Sequence, residues 1–148
     1  GERTPAHWEQ TGVRANVVTD GGAEYRKGRQ ACEQAVMMFG RSGDNGDPDN
    51  FFVPLLGCEA VKGGGNVARW CNKPFEDLVI EAAQTPGKAD RAKLYEQAQV
   101  IFKEEAPWIT LAHSVRFDPI RKEVKGYKMD ATAHHYFTNA DVVRDNAQ

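Results

Sequence analysis

Apolar residues recur at helical intervals through the middle of this chain. Leu94, Ala98, Ile101 and Phe102 stand at i, i+4, i+7 and i+8, one face of a helix that Asp90 can cap and Pro107 must end. Just upstream, Pro74 suits a first helical position, and Glu76 and Asp77 complement the positive end of the dipole. Leu78, Val79, Ala82 and Ala83 supply the buried stripe of this second helix, and Thr85-Pro86-Gly87 separates the two. Elsewhere the apolar runs are shorter. Residues 13–19, 35–39, 108–113 and 115–117 are compact, β-branched or aromatic, and bounded by Gly or Pro, so they predict strands. Residues 23–30 predict a short helix on a polar surface, and Phe51-Phe52-Val53 with Leu55-Leu56 give the loop before them an apolar anchor. Helices and strands interleave without repeats, which predicts a mixed α/β fold, and no linker divides residues 1–148.

Charge narrows the partners. The 148 residues carry 19 Lys and Arg against 21 Asp and Glu, a net charge of −2 with no long basic run, which argues against a nucleic-acid surface. Uncharged stretches fall far short of the roughly 18 apolar residues that a membrane span needs. A hydrophobic content of 41% is enough to build a core.

Three cysteines leave at least one outside any internal pair. Cys58 and Cys71 flank a glycine-rich stretch that can close a loop, and spacing alone leaves a disulfide and two buried thiols equally open. A metal pair is disfavoured, because there is no C-x-x-C and no His within five residues of either. Cys32 is the odd cysteine. The densest polar feature is the loop at residues 43–50, with Asp44, Asp47 and Asp49. As a calcium loop it fails: counting from Asp44, Gly46 and Pro48 fall at alternate positions and offer no side-chain oxygen. Asx-turns made by Asn45, Asp47, Asp49 and Asn50 explain its composition. Ser42 lacks the Gly two residues on that a nucleophile elbow needs, and Gly63-Gly64-Gly65 lacks the Lys of a phosphate loop. His134 and His135 diverge if extended and would rarely share one ion. What remains is a Gly-flanked carboxylate, Asp44, suited to an ammonium ion through charge-assisted bonds.

Several longer motifs resemble one family. They are residues 36–38, Gly43-Asp44-Asn45-Gly46-Asp47-Pro48-Asp49-Asn50-Phe51-Phe52, Cys58, and Trp70-Cys71-Asn72-Lys73-Pro74-Phe75-Glu76-Asp77-Leu78. Leu94-Tyr95-Glu96-Gln97-Ala98, Ala112-His113-Ser114, Val115-Arg116-Phe117-Asp118-Pro119 and Arg121-Lys122-Glu123-Val124-Lys125-Gly126-Tyr127 continue the match. Together they resemble the periplasmic dipeptide-binding proteins, solute-binding components of ABC importers whose two lobes close over a short peptide. The resemblance implies a C-terminal portion, with most of the second lobe and the return of the chain toward the first. It implies that Asp44 meets the ligand α-ammonium, that residues Gly40, Arg41, Ser42 and Gly43 offer main-chain groups to the peptide, and that Cys58 and Cys71 are bridged, which suits an oxidising periplasm. The Arg that takes the ligand carboxylate would lie upstream of residue 1. Permease subunits and the remainder of its own chain are the implied partners, and the isolated chain is expected to need that remainder to fold. No cofactor, metal or catalytic residue is implied.

The sequence departs from the family at Arg41, where dipeptide binders carry Trp. Thr11, Gly21-Gly22 and Cys32 also differ. Arg41 is the cue for another ligand on the same scaffold: haem, a metal chelate or a longer peptide. A hydrolase using Ser42 or Cys32 is the alternative of a different class.

Overall fold

Asn72 begins the most regular part of the molecule. Its side-chain oxygen accepts from the N–H of Phe75 at 2.9 Å, capping α4 (Lys73–Gln84), and Pro74 sits in the first turn where its missing N–H is harmless. Three residues later α5 (Lys88–Glu105) starts and packs back along α4. Gly87, rather than the expected Asp90, is its N-cap; Asp90 lies in the first turn and pairs with Lys93 at 3.0 Å. The structure, a computed structural model, describes residues 3–143.

The core lies where these helices meet α3 (Asp49–Leu56). Phe75, Val79, Ala82, Tyr95 and Ala98 are buried from α4 and α5, with Leu55 and Leu56 from α3. Phe75 is at the centre, edge-on to Phe52 at 5.5 Å and to Trp70 at 4.9 Å. Of the expected α4 stripe, Val79 and Ala82 are buried and Leu78 packs at the edge, whereas Ala83 faces solvent and Phe75 takes its place. Residues 51–56, expected as an apolar anchor, form a helix that carries Pro54 within it.

After α3 the chain turns through a short 3-10 helix (Glu59–Lys62) into the loop closed by the Cys58–Cys71 disulfide, whose Cα atoms are 4.7 Å apart. Buried Asn66 donates to the carbonyls of Gly57 and Trp70 at 3.0 and 2.7 Å. Glu76 accepts the N–H of Cys58 at 3.0 Å, and Glu105 at the end of α5 accepts Trp70 Nε1 at 2.6 Å and Asn72 Nδ2 at 2.5 Å.

None of the four expected strands forms. Residues 13–19, 35–39, 108–113 and 115–117 belong to no ladder. The described strands are two residues each, β1 (Val124–Lys125) and β2 (Asp141–Val142), paired antiparallel with Val124 opposite Val142. A β-branched run states which backbone a segment favours, but a strand also needs a partner for its N–H and C=O groups. Ile109, Leu111, Val115 and Phe117 accordingly remain exposed. Beyond them a polar cluster organises the chain. Asp118 accepts from Arg116 Nε at 3.0 Å and from the Tyr127 hydroxyl at 2.7 Å, and the Tyr127, His135 and Phe137 rings stack.

Of the described residues, 3–39 form a separate unit. It contains α1 (Arg3–Glu9) and α2 (Gly22–Ala31), the latter close to the expected 23–30. Cys32 closes α2 in the left-handed conformation, φ 55°. Residues 35–39 lie beside α2 through a Tyr25 hydroxyl donated to the Met38 carbonyl and the Arg29 guanidinium 4.2 Å from the Phe39 ring.

Candidate ligand-binding site

The loop at residues 43–50 leads into the first turn of α3, and its own side chains hold its shape. Asn45 Oδ1 accepts from the N–H of Asp47 at 3.0 Å, and Asp47 Oδ1 from the N–H of Asp49 at 3.2 Å. Asn50 reaches back and accepts the N–H of Asp44 at 2.9 Å. These are local side-chain-to-backbone bonds of the kind Asx residues favour. Asp49 differs from the expectation: its Oδ1 is buried with no hydrogen-bond partner among the described residues, in the first turn of α3 where the dipole favours an acid. Gly43 packs so closely that an added Cβ would lie 2.8 Å from the Phe51 ring, and Gly46 holds φ +76°.

The Asp44 side chain projects from this frame and is half exposed, with 56% of its surface open. Its Oδ2 accepts from Arg41 Nη2 at 3.0 Å. An exposed pair of this kind contributes about 0.2–1 kcal/mol and can be exchanged for another cation. Gly40, Arg41, Ser42 and Gly43 precede it as a segment whose N–H and C=O groups take no part in main-chain hydrogen bonds among the described residues.

Asp47 is the loop's second carboxylate and has a different environment. Tyr95 on α5 donates its hydroxyl to Oδ1 at 3.0 Å, and Arg91, one turn earlier, places Nη2 3.1 Å from Oδ2. Burial opposes ionisation of Asp47, but the Asp49 N–H, the Tyr95 hydroxyl and the Arg91 charge outweigh it, so its pKa falls below the usual carboxylate value. Burial, and then the Asp47 carboxylate, push the Tyr95 phenol up to about 12. Sequence reasoning missed Arg91 and Tyr95 as neighbours of the loop. Their i, i+4 spacing puts them on one helix face, but nothing local to α5 says that the face meets residue 47.

The other chemical candidates are dispersed. Ser42 is exposed and has no hydrogen bond to a histidine or carboxylate among the described residues. Cys32 lies in the other unit, at the end of α2. His134 and His135 diverge: His134 Nδ1 lies 2.7 Å from Thr132 Oγ1, whereas His135 meets Tyr127 at 2.9 Å and Arg116 at 2.6 Å.

The helical hairpin, the disulfide-closed loop and the acidic loop form a fold that the solved structures show to be similar to part of a lobe of periplasmic binding proteins. The dipeptide-binding protein from Pseudoalteromonas sp. SM9913, in complex with Met-Leu, superposes with a TM-score of 0.86 over 95% of this chain and 28% of its own, at 30% identity. The chain is 45% identical over 141 residues to the dipeptide-binding protein of Escherichia coli K12, covering 95% of this chain and 26% of that protein. Heme-binding protein A of Haemophilus influenzae is 47% identical over 93% of the chain and 25% of its own length. No protein-family model matches the chain. It is a relative of the dipeptide-binding proteins and spans about a quarter of the length of those it matches.

Proposed function

We propose that this chain is the C-terminal portion of a periplasmic solute-binding protein, comprising most of its second lobe and the return toward the first. The protein captures a dipeptide without turnover and delivers it to the permease subunits of an ABC importer. The observation that carries this reading is Asp44, an exposed carboxylate on a loop whose backbone is fixed before any ligand arrives. Fixing the loop in advance lowers the ordering cost of binding. The peptide's α-ammonium takes the Asp44 carboxylate, sharing it with Arg41 or displacing the guanidinium. Residues 40–43 offer main-chain donors and acceptors to the extended peptide, and an Arg from the remainder of the chain takes the α-carboxylate. The similarity to a protein solved with Met-Leu supports a dipeptide ligand.

Isothermal calorimetry of the full-length protein with Met-Leu tests the reading, which expects stoichiometric binding that depends on the free amino group. A second ligand, haem, is favoured by the relative named for heme binding. Hemin substituted for Met-Leu in the same titration separates the two: heat with hemin and none with Met-Leu would overturn the dipeptide assignment.

A further inference from the structure

Asp44 is connected to the buried Tyr95 by hydrogen bonds within the protein, through Asn50, whose N–H bonds the Asp47 carbonyl at 3.2 Å, and through the Asp47 side chain. Tyr95 is 4% exposed and edge-on to Phe52 at 5.8 Å, so its ring is fixed by packing. Its hydroxyl and the Arg91 guanidinium hold the two oxygens of Asp47 at 3.0 and 3.1 Å. Asp47 in turn holds the N–H of Asp49 and donates its own N–H to Asn45, on either side of the Gly46 turn. Asn50, in the first turn of α3 beside Asp49, holds the N–H of Asp44. Asp44 itself makes no hydrogen bond or ion pair to Tyr95 or Arg91 among the described residues; its N–H reaches the loop through Asn50.

We propose that Tyr95 and Arg91 are positioning residues for the ligand contact of Asp44, acting through the Asp47 carboxylate. This deepens the dipeptide reading and rests on it. The two oxygens of Asp47 are used separately, one for a directional hydroxyl and one for a charge, so the loop is fixed in rotation as well as in distance. Losing either partner leaves Asp44 present but less well aimed, and small misplacements of a charge-assisted contact are costly.

A double-mutant cycle in the full-length protein tests this, read by calorimetry with Met-Leu. Tyr95→Phe keeps the ring and removes the hydroxyl, and is expected to weaken binding about three- to tenfold. In an Asp44→Asn background the same change should alter affinity by less than about twofold. Arg91→Gln is expected to follow the same pattern and supplies a second variant should Tyr95→Phe fold poorly. Equal weakening in both backgrounds would mean a general structural effect and overturn the proposal. So would no weakening by either variant while Asp44→Asn alone is strongly impaired. Unchanged affinity in Asp44→Asn would instead remove the ammonium role of Asp44, and this inference with it.

Discussion

Two aspartates three positions apart in one loop do different work because their surroundings differ. Asp44 is open to solvent and holds one exposed guanidinium, whereas Asp47 is drawn inward and held by Tyr95, Arg91 and a backbone N–H. An approaching cation therefore meets Asp44 open to solvent and Asp47 already paired with Arg91 and Tyr95. If Asp44 takes the ligand ammonium as proposed, Arg41 competes with it, since its Nη2 already occupies Oδ2 of Asp44 at 3.0 Å. Removing that cation should favour the ligand. Arg41→Gln in the full-length protein is expected to tighten Met-Leu binding about two- to fivefold, the worth of an exposed ion pair. Calorimetry reads it, and weaker binding would mean that Arg41 contacts the ligand instead. Here the sequence was most legible for Asn45 and Asp47, which make the expected Asx-turn bonds, whereas Asn50 reaches back six residues to the N–H of Asp44. Asp49 does not follow the expectation, because it falls inside the first turn of α3, where a helix was not expected.

Between elements, the decisive contact is the one from α5 to the acidic loop. Tyr95 is the better probe of it because its phenol is raised to about 12 by burial and by Asp47. A group whose pKa is raised on folding contributes stability that is full below its unfolded value of about 10, and that is lost as pH rises toward the folded value. The ultraviolet titration of phenolate should thus lose one late-titrating group in Tyr95→Phe, that of Tyr127 remaining because its bond to Asp118 raises it too, and the variant's stability should fall less between about pH 10 and 12. An unchanged alkaline titration would contradict the Tyr95–Asp47 bond. Helices α4 and α5 were readable from spacing, since periodic apolar faces and a Pro at the first turn depend on local geometry, whereas α1 and α3 were not expected. The four expected strands do not form. Residues 108–113 and 115–117 have strand composition, yet Ile109 and Phe117 are exposed at 70% and 82%, since among the described residues no neighbouring strand pairs with them. Composition reports a preference, and a ladder requires a second segment.

For the molecule as a whole, the disulfide is the long-range constraint. Cys58 and Cys71 are 13 residues apart and tie the end of α3 to the entry of α4, next to the buried Asn66 and the Glu76 and Glu105 contacts. A bridge of this span stabilises by about 3 kcal/mol, mainly by restricting the unfolded chain. Reduction should raise the intact mass by about two daltons, one hydrogen per sulfur, and lower the melting temperature. No mass change on reduction would refute the bridge. Spacing alone left this pair undecided; the likeness to a known family singled it out, and the structure contains it. Arg91 and Tyr95 were hidden for a related reason. Their partner lies more than forty residues away in sequence, and only the packing of α5 beside the loop brings them together.

The proposed role of Asp44 is to receive the amino terminus of a peptide. Calorimetry of Met-Leu binding to the full-length protein, with Asp44 intact and with Asp44→Ala, tests it most directly. Removing one partner of a desolvated charge pair costs about 3–5 kcal/mol, so the variant should bind at least a hundredfold more weakly while melting close to the parent temperature. Equal affinity in the two proteins would contradict the account.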